Sequence, residues 1–139
     1  MFKIKVTPRF GETDALRHIN NNVLGDWFEL GRNELFKIFT PDLQLSDETW
    51  KLIMVRMEID YLGQIFFGED VDIRTYITHI GNTSFTIGHE AWQNGELKSK
   101  GKNVVVHYNF IEQTKTPIPK DIKEKLEEHL IKEEDIGKK

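Results

Sequence analysis

The 139-residue chain has no cysteine. Disulfides, thiolate metal ligands and a thiol nucleophile are therefore excluded. Also missing is any apolar run near the roughly 20 residues needed to cross a bilayer, so no membrane insertion is expected. The start Met1-Phe2-Lys3-Ile4-Lys5 alternates too early for a secretory signal, which points to a cytoplasmic location. Positive charge is short as well. Nineteen Lys and Arg against 23 Asp and Glu leave a net −4, which argues against nucleic acid as a partner. The five histidines (18, 79, 89, 107 and 129) lack ligand spacing, so no metal site is expected. Neither a G-x-S-x-G elbow nor a glycine-rich phosphate loop occurs.

What is present fits one domain over residues 1–139 with a core of moderate size. Phe2, Ile4 and Val6 alternate with Lys3, Lys5 and Thr7, a short half-buried strand closed by Pro8. A polar loop follows over Gly11–Asn22. From Val23 to Phe39 the period becomes helical, with Leu24, Phe28, Gly31 and Leu35 on one stripe widened by Val23, Trp27, Leu30 and Ile38. At 1.5 Å per residue this helix is roughly 25 Å long. Asn20, Asn21 and Asn22 are N-cap candidates. Strand patterns cover Lys51–Leu62, Asp70–Ile80, Ser84–Gln93 and Leu97–Phe110, with turn signals at Gly81-Asn82 and Asn94-Gly95. Pro117 and Pro119 open a final charged helix with Ile122, Leu126 and Leu130 four apart. Five antiparallel strands cannot enclose so apolar a helix in a narrow barrel. A curved sheet wrapped around it buries both faces, an α+β solution.

The motifs Glu12-Thr13-Asp14-Ala15, His18-Ile19-Asn20-Asn21, Trp27-Phe28-Glu29 and Arg32-Asn33-Glu34 resemble the hotdog-fold acyl-CoA thioesterases. They are most similar to the 4-hydroxybenzoyl-CoA thioesterase type, including the Tol-Pal-associated enzymes. Glu58-Ile59-Asp60-Tyr61-Leu62, Phe67-Gly68-Glu69-Asp70-Val71 and Gly81–Thr86 extend the resemblance over nearly the whole chain. Two positions depart from it. Arg17 stands where the family usually has glycine, and Gly63-Gln64-Ile65 replaces Arg-Pro-Ala.

The resemblance implies a hotdog fold, a five-stranded antiparallel sheet around a long central helix with a C-terminal helix. It implies hydrolysis of an acyl-CoA to a carboxylic acid and free coenzyme A, without a separate cofactor. Asp14 would be the nucleophile or general base, and from residue type alone it is equally a turn carboxylate. Helix amides near Asn21 and Asn22 are suited to polarise the thioester carbonyl. His18 would orient the loop or meet substrate, and Tyr61 would line the site from a neighbouring subunit. An exposed sheet edge implies a homodimer or homotetramer. Glu29 and Arg32 read as a solvated i, i+3 pair. Lys98, Lys100 and Lys102 share a strand face and read as a solubilising edge. Two other readings remain: a thioesterase for acyl groups on acyl carrier protein, and a non-catalytic module that binds acyl-CoA.

Overall fold

Burial alternates residue by residue along β1 (Phe2–Val6), in step with its apolar and charged side chains. The computed structural model describes residues 1–139 and continues with α1 (Val23–Phe36), β2 (Leu52–Tyr61), β3 (Val71–Ile80), β4 (Ser84–Gln93), β5 (Glu96–Asn109), β6 (Thr114–Lys115) and α2 (Lys120–Glu127). The strands pair antiparallel in the order β1-β3-β4-β5-β2, with the short β6 added on β5. Extra residues in β2 (Val55), β3 (Thr78) and β5 (Lys98) shift the register and bend the sheet around α1. This is the α+β hotdog arrangement. No helix is long and apolar enough to cross a membrane.

Some strand ends shift by a residue from the sequence pattern, and α2 stops at Glu127, short of Leu130; two further differences have a clear local cause or partner. The spacing carries the helix to Phe39, but α1 ends at Phe36, where Ile38 and Phe39 donate to Leu35 and Phe36 in a tightened final turn. The β6 pairing with Tyr108 and Asn109 was not signalled by periodicity.

Helix α1 seats on the sheet through two glycines. A Cβ on Gly31 would lie 2.5 Å from Thr75 Oγ1 and 3.0 Å from Ile73 Cγ2. A Cβ on Gly101 would lie 3.0 Å from the Phe28 ring, whose other contact is a stack on His89 with centroids 4.9 Å apart. Around this seat the apolar side chains form two clusters. One gathers Ile19, Leu24, Trp27, Phe28, Ile65 and Val71, and the other Leu35, Leu52, Ile77, Phe85, Val105 and Leu126. Full burial of such side chains stabilises by roughly 1.5–3 kcal/mol each.

Between the clusters runs a buried polar seam of Thr75, His89, Asn103 and Arg32. Arg32 Nη1 donates to Asn103 Oδ1 at 2.9 Å, and His89 Nε2 bonds the same oxygen. An amide oxygen only accepts, so His89 carries its proton on Nε2. The outer side of the sheet is closed by the C-terminal tail. Ile77 exchanges 2.9 Å backbone bonds with His129 and Ile131. The buried Glu90 carboxylate accepts from Tyr76 Oη (2.7 Å), Trp92 Nε1 (2.7 Å) and the Gly137 amide (2.8 Å). Burial first, and then the Glu90 hydrogen bond, push the Tyr76 hydroxyl pKa upward.

His89 makes stability depend on pH. Burial lowers its pKa to about 3, against the opposing effect of the Asn103 bond, and Arg32 lowers it further. The folded imidazole stays neutral while the unfolded one takes a proton near pH 6.5. Stability is therefore full above that value and falls as pH drops toward about 3. Between pH 7 and 5 the loss from this group is about 2 kcal/mol. Urea unfolding of wild type and His89→Gln at both pH values should show most of that slope vanishing in the variant. An unchanged slope would contradict the assignment.

Candidate active site

Residues 12–20, a polar loop by composition, fold as a tight hairpin. The Asn20 amide donates to the Glu12 carbonyl and the Asp14 amide to the His18 carbonyl, both at 2.8 Å, with Thr13 and Ile19 bridged between them. At the tip the Arg17 amide donates to the Asp14 carbonyl, and Arg17 has φ 68. That left-handed conformation suits glycine. It accounts for the residue found there in the family the motif resembles. The second arm docks on residues 65–66: the Ile19 amide donates to the Ile65 carbonyl at 2.8 Å, and His18 bridges Phe66.

Asp14 is exposed at the start of the turn. Its Oδ1 accepts the amides of Leu16 (2.8 Å) and His18 (3.2 Å), while Oδ2 has no partner. The two readings of this residue are thus compatible. One oxygen closes the turn, and the other is held outward with a fixed orientation. His18 helps hold Asp14 through its backbone amide rather than its ring. The imidazole packs edge-on against Phe66 at 5.2 Å, with Nδ1 buried and unpartnered.

The asparagine run acts differently from simple capping. Asn22 occupies the N-cap position without a side-chain cap bond, and its amide donates to Asn20 Oδ1 at 3.0 Å. Val23 and Leu24 amides donate to the carbonyls of Asn20 and Asn21. The Asn21 amide alone in this group is left without an acceptor, at the positive end of α1. Between Asn21 and Asn22, the free donor is therefore Asn21.

Glu12, which composition did not single out, pins the hairpin to α1. Its carboxylate accepts from Trp27 Nε1 at 3.1 Å and from the Arg9 amide at 2.7 Å. Gln93 is a second residue missed by sequence reasoning, since it reads only as the last residue of a strand. Its amide bonds Phe66 and Glu69. The one signal for either was the fixed spacing of Glu12 ahead of Asp14.

Other candidates lie apart. Tyr61 ends β2, is 47 % exposed, and its hydroxyl bonds nothing in the chain. Lys98 pairs with Glu96 and lies 5.8 Å over Phe66. Lys100 and Lys102 border a polar groove of about 640 Å³ with Glu58, Asp60 and Thr86. The solvated Glu29–Arg32 pair does not form: Arg32 is 5 % exposed and bonds Asn103. Apolar residues on both sides of Arg32 draw it under the helix. Glu29 and Arg32 instead line an apolar cleft of about 430 Å³ with Phe36, Trp50, Leu52 and Met54. Asp14 lines neither cavity. No three His, Asp or Glu side chains converge as metal ligands would.

Comparison with known proteins adds to this geometry. The profile of the thioesterase-like superfamily matches residues 8–126. A structure of a predicted thioesterase from Bacillus stearothermophilus is 47% identical, covers 94% of this chain and 97% of its own, and has a TM-score of 0.89. A thioesterase from Thermus thermophilus, solved in complex with coenzyme A and zinc, is 31% identical over 91% of this chain and 92% of its own, at TM-score 0.79. A thioesterase superfamily structure from Jannaschia sp. CCS1 is 28% identical over 90% of this chain and 80% of its own, also at 0.79. A search of curated proteins returns no match.

The strained turn gives a direct check. A left-handed non-glycine residue costs about 1–2 kcal/mol, partly offset by glycine's greater unfolded-state entropy. Arg17→Gly should therefore raise stability by about 0.5–1 kcal/mol in denaturant titrations. A loss of that size would show that the Arg17 side chain stabilises the tip.

Proposed function

The chain belongs to the thioesterase-like superfamily and is a thioesterase; we propose that its substrates are acyl-CoA thioesters and that Asp14 Oδ2 carries the reaction. The observation that carries this reading is the division of labour within one carboxylate. Oδ1 is fixed by two amides and Oδ2 is unpartnered, on the hairpin that leads into the free Asn21 amide.

Hydrolysis needs a polarised carbonyl and a nucleophile brought to it. In this proposal the Asn21 amide donates to the thioester oxygen, where charge develops as the carbon becomes tetrahedral. A single such donor is typically worth about 2.7–4 kcal/mol of barrier. Asp14 Oδ2 either attacks the carbonyl carbon or takes a proton from the water that does. In both routes the carbon–sulfur bond breaks and coenzyme A leaves as a thiolate that is protonated; in the first, water then hydrolyses the mixed anhydride formed on Asp14 and restores its carboxylate, and in the second, the deprotonated water itself becomes part of the released acid. Thiolate is a good leaving group, so the absence of a strong general acid is no obstacle. His18 and its partner Phe66 form the wall beside the carboxylate.

The motif around Asp14 favours the 4-hydroxybenzoyl-CoA thioesterase type within this superfamily. The Thermus relative solved with coenzyme A supports a nucleotide-bearing substrate over an acyl carrier protein. The exposed edge of β2 supports a homodimer, with a tetramer as its further assembly. Both β1 and β2 are edge strands, and β2 is the one that exposes Ile53, Met54, Val55 and Tyr61. Pairing two such edges would cover these side chains, and would bring Tyr61 toward the partner's site. Asp14 on the open surface of a single chain fits a site completed by a second one.

Free-thiol release from short, long and aromatic acyl-CoAs, beside matched acyl-carrier substrates, tests the reading. Asp14→Asn keeps the Oδ1 acceptor and should fold within about 0.5 kcal/mol of wild type, yet lose about 10²–10⁴ in turnover. Asp14→Ala should lose the same activity and about 0.5–1 kcal/mol of stability besides. Near-normal turnover in Asp14→Asn would remove the residue from the mechanism.

A further inference from the structure

The Asp14 hairpin leans on residues 65–66, and one buried side chain holds those residues in turn. Gln93 closes β4 and is 1 % exposed. Its Oε1 accepts the Phe66 amide at 3.0 Å, and its Nε2 donates to the carbonyls of Phe66 (2.9 Å) and Glu69 (3.0 Å). Both donors and one acceptor site of the amide are thus used. Phe66 has its two main-chain groups paired by a side chain, the service a neighbouring strand performs in a sheet. No strand is available for it. The chain reverses immediately after Gln93 through Asn94 and Gly95, at φ 54 and 74.

Across from Gln93, the Ile65 carbonyl accepts the Ile19 amide and Phe66 bridges His18. The order is therefore Gln93 side chain, residues 65–66, residues 18–20, residues 12–14, and the last of these carries Asp14. We propose that Gln93 is a positioning residue for Asp14, acting through residues 65–66 and the hairpin. This inference rests on Asp14 being the reactive carboxylate. Beyond the Glu12–Trp27 bond and the Ile19 side chain buried beside Leu24 and Ile65, the hairpin's hydrogen-bonded docking on the body of the protein is this strip. A shift of about 1 Å at a reacting group can cost on the order of 100-fold in rate, so a support with three fixed hydrogen bonds has kinetic weight. A carboxylate at position 93 would face the carbonyls of Phe66 and Glu69 with no proton to give, which explains the amide.

The test compares Gln93→Met, which keeps length and loses all three bonds, with Leu126→Ala in the other core cluster. In Gln93→Met, kcat on the best acyl-CoA should fall about tenfold or more while KM stays within about twofold. Leu126→Ala should lose at least as much thermal stability yet keep kcat. A normal kcat in Gln93→Met, or an equal loss in Leu126→Ala, overturns the proposal. If Gln93→Met does not fold, the isosteric Gln93→Glu takes its place with the same readouts. Amide exchange of Asp14 and Ile19 provides an arm independent of turnover. Both should exchange about tenfold faster in the Gln93 variant than in Leu126→Ala, and equal protection overturns the proposal. Absence of thiol release by wild type on every acyl-CoA would refute the substrate reading alone, and the exchange arm would then decide the role of Gln93.

Discussion

The close seating of α1 on the sheet is the constraint from which the rest follows. Phe28 packs over the paired residues Gly101 and His89, and Gly31 leaves no room for a side chain above Thr75. These contacts fix the helix in height and rotation, so its first turn has one place to be. The hairpin of residues 12–20 then has a fixed edge to build on, with Trp27 of the helix bonded to Glu12 of the hairpin. A looser seat would leave the same residues in sequence without bringing the free Asn21 amide and the Asp14 carboxylate to one end of the molecule.

Much of the scaffold is legible in the sequence because it is written in period. Alternation locates β1, β3 and β4, and the Asn94-Gly95 pair locates the turn where both residues adopt positive φ. The helix is legible through its stripe, but its end is not, since the apolar residues Ile38 and Phe39 continue the pattern past the point where the backbone tightens. Arg32 is misread for a related reason. Beside Glu29 it looks like half of a surface pair, whereas its neighbours Phe28 and Leu35 carry it inward to Asn103.

The proposed site at Asp14 is legible only through its motif, since nothing periodic marks it. Apart from the buried Ile19, its hairpin is held by main-chain bonds and by Asx-type contacts, which leave no hydrophobic signature. Gln93 and the C-terminal tail were hidden for the same reason. A buried glutamine looks like any polar strand end, and the capture of Gly137 by Glu90 depends on residues 47 positions apart. Polar groups that do positional work declare themselves in three dimensions, through how completely their hydrogen bonds are used.

The polar seam of Thr75, His89, Asn103 and Arg32 has a bearing on how this fold tolerates change. It separates the cluster around Leu24 and Trp27 from the one around Leu35 and Phe85. Volume added or removed on one side meets these polar side chains, three of them joined at Asn103 Oδ1, before it meets the other side's apolar packing. The interior is thus two small compartments with a shared wall, and drift in residue size can be absorbed in one while the other keeps its shape. The compartment nearer α2 can then repack without moving the one beneath the Asp14 hairpin.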